Sequence, residues 1–215
     1  MLLLSTAYAP PIQFFAHLFR HQGVCQLEAR ENFVKQTYRN RCHILAPQGI
    51  QALTIPVEKG PELKTAIKDV RISDHGQWRH LHSQALISSY GSTPFFEFYW
   101  DDLAPFYEKR YEYLWDYNKE MIHLLSDLLE IDTRIEETTD YVTENPCDYR
   151  YAIRPKHSPS DPLFIPHPYY QVLAEANHFH PNLSILDLLF NMGPEAAIIL
   201  RKSIAPSDNS LPSKL

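Results

Sequence analysis

The chain has 215 residues, a formal net charge of -6 at pH 7, and 44% hydrophobic and 13% aromatic residues. This length and composition suit a packed domain, which we place over residues 1–205, followed by a mobile tail over residues 206–215. An acidic chain lacks the broad basic face of a general nucleic-acid binder. No apolar run approaches the roughly 18 residues that a membrane-spanning helix needs, so we expect no membrane insertion.

The N-terminus and the cysteines indicate a cytoplasmic protein. The apolar start Met1–Leu4 has no basic flank and is soon followed by two prolines, which favours a buried strand over a secretory signal. The three cysteines, Cys25, Cys42 and Cys147, are odd in number and contain no CxxC pair. Cys42 adjoins an arginine that would lower its pKa, but we favour a buried structural thiol over a nucleophile.

The first half of the chain predicts strands around one helix. A strand at Leu2–Tyr8, a helix at Ile12–Arg20 and a strand at Val24–Ala29 form a βαβ unit, whose two strands are parallel. The segments Asn40–Ala46 and Gln51–Val57 predict a hairpin across a Pro-Gln-Gly turn.

Two further strands are predicted at Ala66–Ser73 and at the polar edge segment Arg134–Val142. The remaining pattern predicts helices at Gly76–Tyr90, within Thr93–Tyr107, and at Tyr111–Leu129, Tyr169–Asn177, Ser184–Asn191 and Pro194–Lys202. The fold class is therefore α/β: a mixed sheet opened by a βαβ unit, with a largely helical C-terminal half.

A basic window is the strongest functional signal. No aspartate or glutamate occurs from Asn32 to Val57, and the window contains Lys35, Arg39, Asn40 and Arg41. In an extended backbone Arg39 and Arg41 point to the same side, and paired guanidinium groups suit a carboxylate or a phosphate. We expect both to line a pocket at the C-terminal end of the first strand. The alternative is that distant acids neutralise them.

A histidine series lies near the start of the second predicted helix. His75, Trp78 and His82 share one face, and His80 lies roughly opposite. His75 and His82 are two turns apart, a poor spacing for metal, so we expect no metal site. His82 is a candidate general base, with a satisfied core histidine as the alternative. The chain contains no dinucleotide, P-loop, nucleophile-elbow or HExxH motif, and we expect no resident cofactor.

Asp187 is an unusual carboxylate because it lies among leucines in a predicted helix that Ser184 caps. A buried carboxylate needs a partner, and Arg39 or Arg41 is the candidate that we predict. The alternative is that Asp187 only contributes to the capping of its own helix.

Several separated segments together resemble the WbqC-like family of bacterial proteins. They are Ser5–Gln13, Lys35 with Tyr38–Arg41, Leu53–Val57, Ile72–Trp78 with His82, Tyr90 with Pro94–Phe95, and Leu183–Glu195. The resemblance covers about nine tenths of the chain and leaves out the tail. It implies a connection with O-antigen and other surface-polysaccharide gene clusters and a glycine or aminoacyl transferase role, but it assigns no catalytic residue.

The leading hypothesis is a transferase that decorates an activated sugar. Lys35, Arg39 and Arg41 would hold a small anionic ligand, such as a nucleotide-sugar or an activated acyl or aminoacyl donor. Asn40 would orient this ligand, and His82 would deprotonate the acceptor. The alternative is a noncatalytic binding or scaffold protein that uses the same pocket. The sequence does not determine the oligomeric state.

Overall fold

The computed structural model describes residues 1–21, 23–58, 64–156, 160–175 and 178–205. The predicted tail, residues 206–215, lies outside them, and the single domain over 1–205 stays a prediction. The strands are β1 (Leu2–Leu4), β2 (Val24–Leu27), β3 (Arg41–Ala46), β4 (Gly49–Thr54) and β5 (Arg134–Glu137). The α-helices are α1 (Ile12–Arg20), α2 (Trp78–Tyr90), α3 (Phe96–Leu103), α4 (Pro105–Glu108), α5 (Leu114–Leu128), α6 (Ile185–Met192) and α7 (Ala196–Lys202).

The parallel strands form a small sheet in the order β1-β2-β5. α1 connects β1 to β2, which confirms the βαβ unit and the α/β class. On the other side of β1, the backbone of Leu3 exchanges hydrogen bonds with Cys147 and Tyr149. This contact brings the segment after Cys147 to the carboxyl end of the sheet.

The predicted hairpin forms, but among the described residues β3 and β4 pair only with each other. The parallel and antiparallel strands therefore lie in two separate sheets. The hairpin is attached through side chains and loops: the Tyr90 hydroxyl accepts from the Leu45 N–H, and the Ser184 N–H donates to the His43 carbonyl.

Burial explains why α1 forms. Its residues from Ile12 to Leu18 are all buried, although they include Gln13 and His17. α1 packs against α6 and α7, and β1 is buried along its whole length. The buried apolar cluster includes Leu2 and Leu200, so the two ends of the described fold share one core.

Two predicted elements are wrong. Ala66–Ser73 contains a 3-10 turn at Ile67–Asp69 and isolated bridges at Arg71 and Ile72 instead of a strand. Residues 169–175 form no helix, and residues 176–177 lie outside the described chain. The reason is the packing of polar groups: the Gln171 side chain and the Val172 N–H bond to α6, which holds this segment in an irregular conformation.

Candidate functional site

Arg39 occupies a buried ion pair, not an open anion site. It lies in a turn before β3, so the alternation of an extended strand does not apply to it. Its Nε donates to Glu31 Oε1 at 2.9 Å and its Nη2 to Glu31 Oε2 at 2.5 Å. Ser5 and Thr37 hydroxyls accept from the same guanidinium group. Burial raises the pKa of Glu31, and the contact with Arg39 opposes that shift. Arg39 is therefore satisfied inside the protein.

A second buried pair continues this network at the carboxyl ends of β1 and β2. Arg150 contacts Glu28 at 2.9 Å and Asp148 at 2.7 Å, and the Thr138 hydroxyl donates to Glu28. We call Glu28, Glu31, Arg39, Asp148 and Arg150 the edge network. Its three carboxylates and two arginines leave no excess positive charge for an anion.

The cavity beside the edge network is small. It has a volume of about 20 Å³ and is lined by Ser5, Thr6, Arg39, Tyr149 and Arg150, among others. A cavity of this size holds about one water molecule. The predicted pocket at the end of β1 thus exists and Arg39 lines it, but Arg41 does not, and a nucleotide-sugar would not fit.

The other residues of the basic window separate from Arg39. Arg41 is half-buried at the start of β3, and its Nε donates to the Thr54 hydroxyl. The Asn40 amide donates to the Ile55 carbonyl at 2.8 Å, which holds the chain after β4. Lys35 is exposed in a turn. Within the described ranges Lys35 and Arg41 form no ion pair with an acid, so both can meet an anion from solution.

His82 lies in the core and is hydrogen-bonded to another core residue. Its Nδ1 is 2.9 Å from the Tyr8 hydroxyl. Tyr8 stacks on the ring and Trp78 contacts it edge-on. Burial lowers the pKa of His82 to about 4, so the ring is neutral near pH 7. This is the satisfied core histidine of the alternative interpretation, and the catalytic role stays a prediction that the contacts do not favour.

Asp187 is buried as predicted, but its partners are neutral. Its carboxylate accepts from the hydroxyls of Tyr90 and Tyr169, at 2.8 and 2.5 Å, and from the Gln171 amide at 3.0 Å. The prediction of an arginine partner is therefore wrong for the described residues. The Ser184 hydroxyl accepts from an N–H of the first turn and caps α6, as expected. Asp187 connects α6 to α2 and to the irregular segment after Tyr169.

Cys42 is a buried thiol on β3, and burial raises its pKa. The adjacent Arg41 does not activate it, because the thiol lies on the core side of the hairpin. This agrees with a structural cysteine.

A groove large enough for a ligand lies between α2 and the helices α3 and α4. Its volume is about 590 Å³, within the range of small-molecule sites. One wall carries side chains of α2 spaced three and four residues apart, and the facing wall belongs to α3 and α4. The principal lining residues are His80, Ser83 and Ile87 on α2, and Trp100, Tyr107 and Glu108 opposite. We call this space the α2 groove.

Charged side chains gather where α2 begins. Asp74 forms an ion pair with Arg79 and lies 3.5 Å from Arg110, and all three residues line the groove. The hydrogen bond from Arg79 lowers the pKa of Asp74. The preceding turn is left-handed at Gly76 and at Gln77, and a positive φ at a non-glycine residue is uncommon. Such backbone conformations occur preferentially at functional sites.

His82 does not line the groove, but two tyrosine hydroxyls link it to the groove wall. Its partner Tyr8 lies 3.3 Å, oxygen to oxygen, from the Tyr107 hydroxyl, and Tyr107 lines the groove. His82 therefore supports the groove wall from behind. The periodicity of α2 contained a signal for this site, because the face opposite Trp78 and His82 carries His80 and Ser83. The sequence pattern placed His80 on that face but gave it no role.

The described residues contain no group of three or more His, Cys, Asp or Glu side chains suited to a metal ion. No helix in those ranges is both long and apolar enough to span a bilayer.

Fold and groove together define an α/β protein with a small parallel sheet and a polar, ligand-sized groove between helices. Residues 6–153, which include α1, β2, the basic window and the whole α2 groove, match the model of the WbqC-like protein family. The chain belongs to this family.

A curated protein of Mycobacterium tuberculosis, named "Uncharacterized protein Rv1507c", is similar to this chain. The two are 29% identical over 194 residues, which cover 79% of this chain and 84% of that protein. No solved structure matches the chain.

Proposed function

We propose that the protein is a cytoplasmic transferase that modifies an activated sugar for a bacterial surface polysaccharide, by transfer of an aminoacyl, glycyl or related acyl group. One observation carries this proposal: the α2 groove has a volume of about 590 Å³ and combines an aromatic side chain with carboxylates, a histidine and arginines. Most of the edge network is buried, and the adjoining cavity is far too small for such a substrate.

The groove residues have chemistry that suits a sugar. Trp100, whose ring stacks with Phe96 and Tyr107, lines the groove and gives a sugar an aromatic surface to pack against. Glu108 can accept hydrogen bonds from sugar hydroxyls. His80 is exposed in the groove and replaces His82 as the candidate general base. Arg41 and Lys35 keep the predicted anion-binding role only as a secondary part of the proposal.

The transfer step assigns one proton to His80. An amine or hydroxyl of the sugar forms a bond to the donor carbonyl, while the bond from that carbonyl to its leaving group breaks. The leaving group departs with the electron pair, and His80 accepts the proton of the attacking group. Tyr107, supported by Tyr8 and His82, shapes the wall against which the acceptor lies.

The experiment is a binding titration followed by a transfer assay. UDP-N-acetylglucosamine is titrated by calorimetry into the wild-type protein, Trp100→Ala and the control Phe98→Ala, since Phe98 is an exposed aromatic on the same helix that does not line the groove. We expect a Kd increase of about tenfold for Trp100→Ala only. Equal affinities of the two variants would place the sugar elsewhere.

The transfer assay uses UDP-amino sugars with acetyl-CoA or glycyl-tRNA as donor and detects the acylated sugar by mass spectrometry. His80→Gln should abolish the product, whereas His123→Gln, on the exposed side of α5, should not. A noncatalytic binding protein is the second candidate, favoured by one observation: the predicted base His82 is buried and hydrogen-bonded to Tyr8. Tight binding without product from any donor would support it.

A further inference from the structure

We propose that the α2 end of the groove is a phosphate subsite formed by Arg79 and Arg110, and that Asp74 occupies it as an internal carboxylate until a phosphate group displaces it. This inference deepens the proposed function, because it assigns the anionic part of the ligand to one end of the same groove. It rests on the arginine pair, on an unpartnered guanidinium nitrogen and on the surface position of Asp74.

Arg79 has unused hydrogen-bonding capacity. Its Nη2 donates to Asp74, but its Nη1 is buried and has no hydrogen-bond partner. The guanidinium group lies 5.1 Å from the centre of the Trp78 ring, which holds its plane in place. An unpaired buried donor is costly, and a charged one more so. A phosphate group in the place of Asp74 offers this guanidinium group more acceptor oxygens than a carboxylate does.

Asp74 is placed to compete with a phosphate group for the two arginines. Its two oxygens face Arg79 and Arg110, in the manner of two oxygens of a phosphate group. The side chain of Asp74 is 47% exposed and that of Arg110 is 79% exposed. Ion pairs at such exposed positions contribute little to stability, so exchange of the carboxylate for an external anion costs little.

The backbone favours the same ligand. α2 has 13 residues, and no side chain caps its N-terminus: the N-cap Gln77 is left-handed and makes no capping hydrogen bond. The first N–H groups of an uncapped helix, together with the helix dipole, attract anions. Phosphate, with three or more acceptor oxygens, can contact both arginines at once, whereas the two oxygens of Asp74 leave Nη1 of Arg79 unused.

The test titrates inorganic pyrophosphate into the full chain at low ionic strength, with calorimetry and with NMR of the arginine Nε–H groups. Arg79→Lys keeps the charge but loses the planar fork, and it should weaken binding at least tenfold. Asp74→Asn removes the competing charge and should tighten binding at least threefold. The control Arg71→Lys changes an exposed arginine that pairs with Glu112 outside the groove, and it should leave the affinity unchanged.

The outcomes separate this inference from the proposed function. Pyrophosphate binding that depends on Arg79, combined with UDP-N-acetylglucosamine binding no tighter than pyrophosphate, supports the subsite and refutes the sugar site. Sugar-nucleotide binding that is unaffected by Arg79→Lys refutes the subsite and leaves the sugar site intact. Absence of pyrophosphate binding, or equal affinities of Arg79→Lys and Arg71→Lys, overturns the subsite. The circular dichroism spectrum and melting temperature of each variant show whether it is folded.

Discussion

The edge network and the α2 groove both combine arginines with carboxylates, yet they differ in what they can do. In the edge network the side chain of Arg39 is 4% exposed and its guanidinium group is satisfied by Glu31, Ser5 and Thr37. In the groove Arg110 is largely exposed, and one nitrogen of Arg79 has no partner. Burial requires that each charge be matched within the protein, whereas an open groove leaves charge available for a ligand.

The difference bears on which of the two regions can hold a ligand. Parallel sheets commonly bind ligands at their carboxyl ends, and the edge network occupies that place. Here the position is filled by internal ion pairs that connect the loop after β2, the turn before β3 and the segment after Cys147. The α2 groove supplies the open volume that the edge lacks. Variants in the two regions test this difference.

The largest effect is expected from Glu31→Gln, which removes the partner charge of Arg39 in the edge network. A buried guanidinium group without its carboxylate should lower the free energy of unfolding by about 3–5 kcal/mol. The matched control is Glu112→Gln, which breaks the exposed pair with Arg71 and should cost about 0–1 kcal/mol. Urea unfolding at pH 7 measures both. Similar losses in the two variants would mean that burial does not distinguish the pairs.

The next effect is the pH dependence caused by His82. Its folded pKa of about 4 lies below the unfolded value of about 6.5, so the unfolded state binds more protons between these values. Stability is therefore fully present above pH 6.5 and falls by up to about 3 kcal/mol as the pH drops to 4. His82→Gln should lose this slope, and His80→Gln, in the open groove, should retain it. An unchanged slope in His82→Gln would contradict the buried, neutral histidine.

Asp187→Asn should have an intermediate effect. The amide presents a donor to hydroxyls that already donate, so one of the three hydrogen bonds is lost, at a cost of about 1–3 kcal/mol at pH 7. Burial raises the folded pKa of Asp187, so its ionisation destabilises the fold as the pH rises from about 3.9 through that raised value. The variant has no carboxylate to ionise there. Urea unfolding of both proteins across this range should therefore show that the stability lost in Asp187→Asn becomes smaller as the pH rises.

A loss of 3–5 kcal/mol in Asp187→Asn would instead indicate an arginine partner, as the sequence had suggested. A control for this comparison is Asp116→Asn, in the first turn of α5, where the carboxylate is exposed. It should change stability by a few tenths of a kcal/mol.

Local patterns were sufficient for most of the fold. The βαβ unit, the hairpin and the long helix α5 follow from periodicity, turn residues and burial on one face. The Ala66–Ser73 strand failed because this segment forms a 3-10 turn and three isolated bridges, at Ala66, Arg71 and Ile72, instead of a continuous ladder. Single-sequence patterns do not show how a short apolar segment is divided between such contacts.

The contacts of the candidate site residues were harder to predict. Their hydrogen-bond and ion-pair partners are distant in sequence or lie just outside the acid-free window. The acid-free stretch begins at Asn32, and the acid that neutralises Arg39 is the residue before it, Glu31. A turn before β3 brings the two together, whereas the prediction had assumed an extended strand. The neutral partners of Asp187 lie 97 residues before it, at Tyr90, and 16 and 18 residues before it, at Gln171 and Tyr169. No local rule selects three uncharged donors over an arginine.

The smallest effect is expected at Thr6, which lines the cavity beside the edge network and whose buried hydroxyl has no hydrogen-bond partner. Thr6→Val replaces this hydroxyl by a methyl group of similar size. If the cavity is only structural, removal of an unpaired buried hydroxyl should leave stability unchanged or raise it by up to about 1 kcal/mol. The control Thr93→Val removes a buried hydroxyl that donates to the Tyr90 carbonyl, and it should cost about 1 kcal/mol. Urea unfolding of both variants gives the comparison. A loss in Thr6→Val as large as that in Thr93→Val would contradict this expectation and show that the Thr6 hydroxyl has a hydrogen-bond partner in the cavity, such as a water molecule.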